Sequence, residues 1–219
     1  MRLQPRGRRG RRGFTLLELM AVVVILGILA SVLVASLGSA DDAAKSRLTR
    51  VQLEELASIA EAFERQFGDY PPSRLPDAAG AINEVNTGIE AFVAALWSNG
   101  YEAGGNLDPD ELTNTDGDSS KNSVTDFGTR ELFEFVDAWN NPIAYFHNRD
   151  YEQPQLYSAF DIESGEVIDM EVTAVKNART KRYYRGSRFQ FRSAGPNGFF
   201  DDPSAIDCDD IFSFEVDRE

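Results

Sequence analysis

The sequence predicts an α+β fold, a long N-terminal helix followed by antiparallel strands. Three features predict it: an uncharged apolar run from residue 19, a helical apolar stripe that follows it without a break, and a change to period two after residue 142. From Leu19 to Leu37 nineteen residues pass without a charge. At about 1.5 Å per residue they make roughly 28 Å of helix, close to the hydrocarbon thickness of a bilayer. Arg2, Arg6, Arg8, Arg9, Arg11 and Arg12 all precede Gly13, and no acid occurs before Glu18. Arginine that dense beside an apolar run holds its side on the cytoplasmic face. A secretory signal core is usually about 7 to 15 residues, so this run is long for one, although "ASLGSA" (35–40) offers a weak cleavage site. The chain therefore divides into a basic leader (1–13), the membrane-spanning half of a helix (14–37) and a soluble domain (38–219).

Beyond the span, Asp41 to Phe67 reads as helix, with Leu48, Val51, Leu56, Ile59, Phe63 and Phe67 mostly three or four apart. Nothing between Leu19 and Phe67 firmly stops a helix, so both parts are expected to form one rod of about 50 residues. "GDYPP" at 68–72 ends it, a glycine breaker with two prolines behind. A second helix is expected over 83–97, striped by Ile89, Phe92, Val93, Leu96 and Trp97. Residues 98–129 have few bulky apolar side chains and many turn formers, which reads as a long surface loop. Arg130 to Val136 is expected as a short helix or turn. "PIAYFH" (142–147), "QLYSAFD" (155–161), "EVIDMEVTAV" (166–175), "RFQFRS" (188–193) and "IFSFEV" (211–216) read as four or five strands forming a sheet on which the amphipathic half of the rod can pack.

Charge narrows the function. The chain has 22 basic and 36 acidic side chains, and six of the basic ones lie before Gly13. Without the leader the balance is −20. Such a domain is soluble, repels nucleic acid over most of its surface and attracts divalent cations. An enzyme is not expected: His147 is the sole histidine, Cys208 the sole cysteine, and neither a P-loop nor a serine elbow occurs. Cys208 is expected to be a buried thiol. "LTNTDGDSSKNS" at 112–123 suggests an EF-hand but fails at both ends, with Leu112 in the first ligand position and Ser123 in the twelfth. "NARTKRYYRGSRFQFR" (177–192) is the basic stretch outside the leader. Arg179, Lys181, Arg182, Arg185, Arg188 and Arg192 there would suit phosphates or an acidic neighbouring subunit.

Glu18 stands at the head of the apolar run. An ionised carboxylate in lipid costs at least a few kcal/mol, so it is by default paired or functional, unless it reaches the headgroups as a boundary residue. "RRGFTLLELMAVVVILGILA" (11–30) resembles the class III signal of type IV pilins and type II secretion pseudopilins: a basic leader ending in glycine, then phenylalanine, threonine and leucine, a glutamate fifth after the glycine, and a long apolar helix. The resemblance implies cleavage between Gly13 and Phe14 by the prepilin peptidase, methylation of the new Phe14 amine, and Glu18 as the acid required for filament assembly. About 6 Å of helix separates Phe14 from Glu18, so an axially displaced neighbour could set its amine against this carboxylate.

Three further segments narrow the resemblance to the major pseudopilin of type II secretion, the G subunit. "FGDYPP" with "DAWNNPIAYF" (137–146) is similar to that family's helix exit and its "DPWGNPYxY" segment, and "FRSAGPNGFFDDPSAIDCDDIFSF" (191–214) is similar to its C-terminal "SAGPDG…DDI" loop. The chain departs from the family at Ala138, at Asn140 and at Asn197, which stands for the usual aspartate. It lacks the proline within the membrane helix and the C-terminal disulfide usual in major type IV pilins. The family's loop holds calcium, and here Asp201, Asp202, Asp207, Asp209 and Asp210 lie within ten residues, Asp210 matching the family's final acid. The expectation that follows is a structural subunit of a secretion pseudopilus, single-pass in the bacterial inner membrane with its N-terminus cytoplasmic and its soluble domain periplasmic. Its implied partners are further copies of the chain, other pseudopilins, the prepilin peptidase and an inner-membrane assembly platform, with nucleic acid not expected. A subunit of a type IV pilus-like filament for DNA uptake or adhesion is the alternative.

Overall fold

The computed structural model describes residues 15–98, 112–161 and 165–217, with the side chains of 31–39 and 161 outside that description. The chain divides into two units, Met1–Ala43 and Ala44–Glu219.

Helix α1 spans Leu16–Phe67, 52 residues, as the unbroken stripe predicts. In the first unit its large apolar side chains from Leu16 to Leu29 are exposed, Leu16 and Leu17 by more than three quarters. Among the described residues no helix is long and apolar enough to cross a membrane. The span expected over 14–37 begins at a residue outside the description and runs into side chains, 31–39, that also lie outside it.

In the second unit α1 ends where Gly68, at φ +79°, donates its N–H to the Glu64 carbonyl at 2.7 Å. That left-handed residue caps a carbonyl the helix would otherwise leave unpaired. The buried face of α1 differs from the expected stripe. Thr49, Leu53, Leu56, Ile59 and Ala60 are buried, whereas Leu48, Val51 and Phe67 are more than half exposed. Spacings of four, three and four residues put 49, 53, 56 and 60 on one face, and two of these are threonine and alanine, which a search for bulky apolar residues passes over. Thr49 belongs inside because its Oγ1 accepts the Ala138 N–H at 3.2 Å.

Helix α2, Thr87–Leu96, starts four residues later than expected, because Asn86 takes a left-handed conformation at φ +58°. Among the described residues seven strands follow. β1 (Leu112–Thr113) pairs with β2 (Glu134–Phe135). β3 (Ala144–His147), β6 (Phe189–Ser193) and β7 (Ile211–Phe212) form a three-stranded sheet in the order β3-β6-β7. β4 (Gln155–Asp161) and β5 (Glu166–Val172) form a hairpin of their own. All named pairings are antiparallel. Three expectations are corrected. Among the described residues the strands form three small sheets instead of one, residues 130–136 hold β2 in place of a helix or turn, its two residues being too few to show a period, and the described part of the expected surface loop holds β1 and buries Asp118, Ser120 and Thr125.

The core joins α1, α2 and the strands of the second unit through Leu53, Leu56, Ile89, Phe92, Phe135, Tyr145 and Phe191, among others. Phe92 sits at its centre, 4.8 Å from the Tyr145 ring and 5.2 Å edge-on from Phe191. These tilted and edge-to-face contacts are the geometry that aromatic quadrupoles favour. A smaller cluster of Val175, Cys208 and Phe212 lies beside the C-terminal loop, with Cys208 the buried thiol that was expected.

Candidate functional site

At the N-terminus, Gly13 and Phe14 lie outside the described residues. Glu18 is described, and it closes the start of α1. Its carboxylate accepts the Thr15 N–H at 2.8 Å and the Thr15 hydroxyl at 2.9 Å, while its own N–H donates to Thr15 Oγ1 at 3.2 Å. Threonine and a glutamate three residues later, bonded in both directions, make a capping box. In a single chain, then, Glu18 satisfies two donors of its own helix end. The belt behind it, from Leu19 to Leu29, exposes half or more of each large apolar side chain. Apolar surface so continuous is stable only when lipid or other helices cover it.

The C-terminal loop is built on glycines and on a buried ion pair. Gly195 at φ +70° and Gly198 at φ +76° take conformations that side chains strain against, and a Cβ on Gly198 would come 2.8 Å from the Phe160 carbonyl oxygen. Between them Asn197 donates its N–H to Asp209 at 3.2 Å and its side-chain amide to Asp201 at 2.9 Å. Arg192, projecting from β6, is buried with its guanidinium against the Asp210 carboxylate and the Asp201 carbonyl. Asp210 also accepts the Asp201 N–H at 3.1 Å. Burial pushes the Asp210 carboxyl up to about 6, with the Arg192 guanidinium opposing it. Of the five acids expected to ligate calcium, Asp201 and Asp210 come together, with Cys208 as the third group within 4.8 Å. Asp202 is exposed and accepts the Ser204 N–H and hydroxyl, Asp207 is exposed, and Asp209 faces Asn197. The oxygens of this loop suit calcium in kind. Its positive charge, however, is already supplied by Arg192, a residue the sequence placed in a basic stretch and which only the fold turns inward.

That basic stretch is divided by the fold. Arg188 donates to Glu61 of α1 at 2.6 Å and to the Tyr70 hydroxyl at 3.3 Å, and Arg192 is buried in the loop. Arg179, Lys181, Arg182 and Arg185 are exposed. The "DAWNNP" segment folds around buried Asp137, whose carboxylate accepts the N–H groups of Trp139 at 2.9 Å and Asn141 at 3.0 Å and the Ser193 hydroxyl at 2.7 Å. Asn140 stands at φ +67°. Asparagine is the side-chain-bearing residue that best tolerates this region, which accounts for it standing where the similar segment has glycine.

Residues 8–34 match the family model of the prokaryotic N-terminal methylation motif. No curated protein and no solved structure matches the chain. The motif covers Gly13, Phe14, Glu18 and the exposed apolar belt, and a class III signal of this kind implies processing by a prepilin peptidase and assembly into a pilus-like filament.

Proposed function

We propose that the chain is a structural subunit of a type II secretion pseudopilus, added at the bacterial inner membrane so that a growing filament drives folded proteins out of the periplasm. The observation that carries this reading is the start of α1, where an apolar belt exposed from Leu16 to Leu29 is headed by Glu18 inside the matched motif. The "DAWNNP" turn and the glycine-built C-terminal loop, each similar in sequence to the pseudopilin segments, support the secretion branch of the family. In this proposal the belt spans the membrane before assembly and packs on other copies after it. Calcium is part of the same proposal. Asp201 and Asp210 would hold it in the C-terminal loop, where it would supply the cross-link that the Arg192 guanidinium makes here. The exposed Arg179, Lys181, Arg182 and Arg185 favour a second reading, a filament that binds DNA during uptake.

A deletion strain separates the two. Loss of secreted proteins with normal transformation is expected there, and in the parent strain mature protein that begins at Phe14 by N-terminal sequencing. Normal secretion with impaired transformation, and salt-dependent DNA binding abolished by changing Arg182 and Arg185 to alanine, would replace the first reading with the second.

A further inference from the structure

The acids of the incomplete EF-hand segment are not spread over a loop surface. Asp116 and Asp118 lie on a turn beside two acids from regular elements, Glu90 of α2 and Glu134 of β2. One carboxylate oxygen from each of Glu90, Asp116 and Glu134 lies within 4.8 Å of the other two. Asp118 is the neighbouring charge that acts most strongly on Glu90. Glu90 is 1 % exposed and Asp118 4 % exposed, and none of their four carboxylate oxygens has a hydrogen-bond partner. A buried carboxylate without a donor is uncommon because desolvation is then uncompensated, and Glu90, set within reach of two further acids, calls for a positive ligand.

The other two acids are held from outside the cluster. Glu134 accepts Asn86 Nδ2 at 3.0 Å, the Thr115 N–H at 3.0 Å and the Thr115 hydroxyl at 3.3 Å. Asp116 accepts Asn83 Nδ2 at 2.9 Å and the Asp118 N–H at 3.2 Å. Two acids fixed by the fold and Glu90 left without a donor make a prearranged oxygen cage.

We infer that Glu90, Asp116 and Glu134 form a buried calcium site, distinct from the Asp201–Asp210 loop, with Asp118 a further buried acid beside it. The donors are all carboxylate oxygens, which hard cations take. Zinc would call for nitrogen or sulfur, and the chain's one histidine and one cysteine are outside the cluster. Magnesium keeps several waters and demands near-ideal octahedral geometry, whereas calcium accepts irregular cages of six to eight oxygens, including bidentate carboxylates. The ion would tie the first turn of α2 to β2 and the 114–118 turn, so its role is to fasten the α2 side of the soluble unit.

Equilibrium dialysis of radioactive calcium against the full-length chain in detergent, stripped beforehand with chelator, tests the assignment at roughly 1 mM free calcium, the weak end of protein sites. The parent is expected to bind one ion more than Glu90→Gln and one more than Glu134→Gln, while Asp210→Asn keeps that ion. A melting scan in chelator accompanies it. Glu90→Gln should melt no lower than the parent there, since the amide removes an unpaired buried charge, and should lose the upward shift that calcium gives the parent. Equal calcium stoichiometry in the parent, Glu90→Gln and Glu134→Gln overturns the inference, as does a parent that binds no calcium. Magnesium binding as tight as calcium overturns the choice of ion.

Discussion

Arg192 and Asp210 face each other with side chains 5 % and 0 % exposed, so neither charge can fall back on water if the other is removed. Breaking a buried pair from one side typically destabilises by about 3–5 kcal/mol, because the remaining charge is left uncompensated. Asp210→Ala is therefore expected to lower unfolding stability in urea by about that amount, while Asp202→Ala, exposed two residues into the loop's acid run, should stay within about 0.5 kcal/mol. Running the series with calcium and with chelator also assigns the counter-ion. A loss that is the same in both makes Arg192 the charge that closes the loop, and a loss that grows with calcium makes the metal its partner. Glu18 is resolved by similar reasoning. Glutamine can replace glutamate in a capping box, so Glu18→Gln keeps the bonds to Thr15 and removes the charge. If Glu18 assembles the filament by pairing with a neighbour's amine, this variant should insert into the membrane and be processed normally yet lose crosslinks between subunits. Crosslinking equal to the parent would leave Glu18 a helix cap and nothing more.

At the scale of elements, α2 shows how a small residue sets an approach distance. A Cβ at Gly88 would collide with the Tyr145 carbonyl, Gln155 Oε1 and the Tyr157 hydroxyl, which are themselves locked together by hydrogen bonds from Tyr157 to Gln155 and Tyr145. Two effects oppose each other in Gly88→Ala. Helix propensity favours alanine by about 1 kcal/mol, while forcing a methyl into packed backbone typically costs about 1–3 kcal/mol. The obstacle includes a carbonyl of β3 that cannot swing aside, so the second effect is expected to win, and the variant should melt below the parent in a thermal scan. The rod and the strands β3 to β6 were legible in the sequence, since each is long enough to show its pattern. β7 was read over 211–216 where only Ile211 and Phe212 pair, and β1 and β2 were missed, because two residues cannot express a period. The buried face of α1 was misread for a related reason: Thr49 and Ala60 are chosen by what they touch, the Ala138 N–H in one case and close packing in the other, and not by bulk.

For the whole molecule, charge is the property most visible in the sequence and least informative about place. A net charge of −14 foretold an acidic surface and an appetite for divalent cations. It could not say that four acids from three segments as distant as Glu90 and Glu134 turn inward together, since that depends on how α2, the 114–118 turn and β2 meet. Local density drew attention instead to residues 201–210, where the fold spends one charge on Arg192 and exposes others. The inward cluster has a consequence for the molecule as a whole. Burial, followed by repulsion from Asp118, Glu134 and Asp116, pushes Glu90 up to about 10. Burial pushes Glu134 up to about 8 against the bonds from Thr115 and Asn86, and burial with Asp116 pushes Asp118 up to about 7. In the unfolded chain such groups ionise near their ordinary values of about 4. Between those values and the raised ones the folded state holds protons that the unfolded state has released, so stability falls as pH rises, by up to about 1.4 kcal/mol per pH unit for each such proton. In chelator the melting temperature should accordingly decline from about pH 5 to pH 8, and a maximum near pH 8 would show that these carboxyls are already ionised in the folded chain. Saturating calcium should flatten the decline by taking the place of the protons. Glu90→Gln and Glu134→Gln should each flatten it in chelator too, because an amide carries no charge for rising pH to expose. The remaining surface acids would then supply only a shallow slope, screened by salt, that distinguishes general repulsion from the buried cluster.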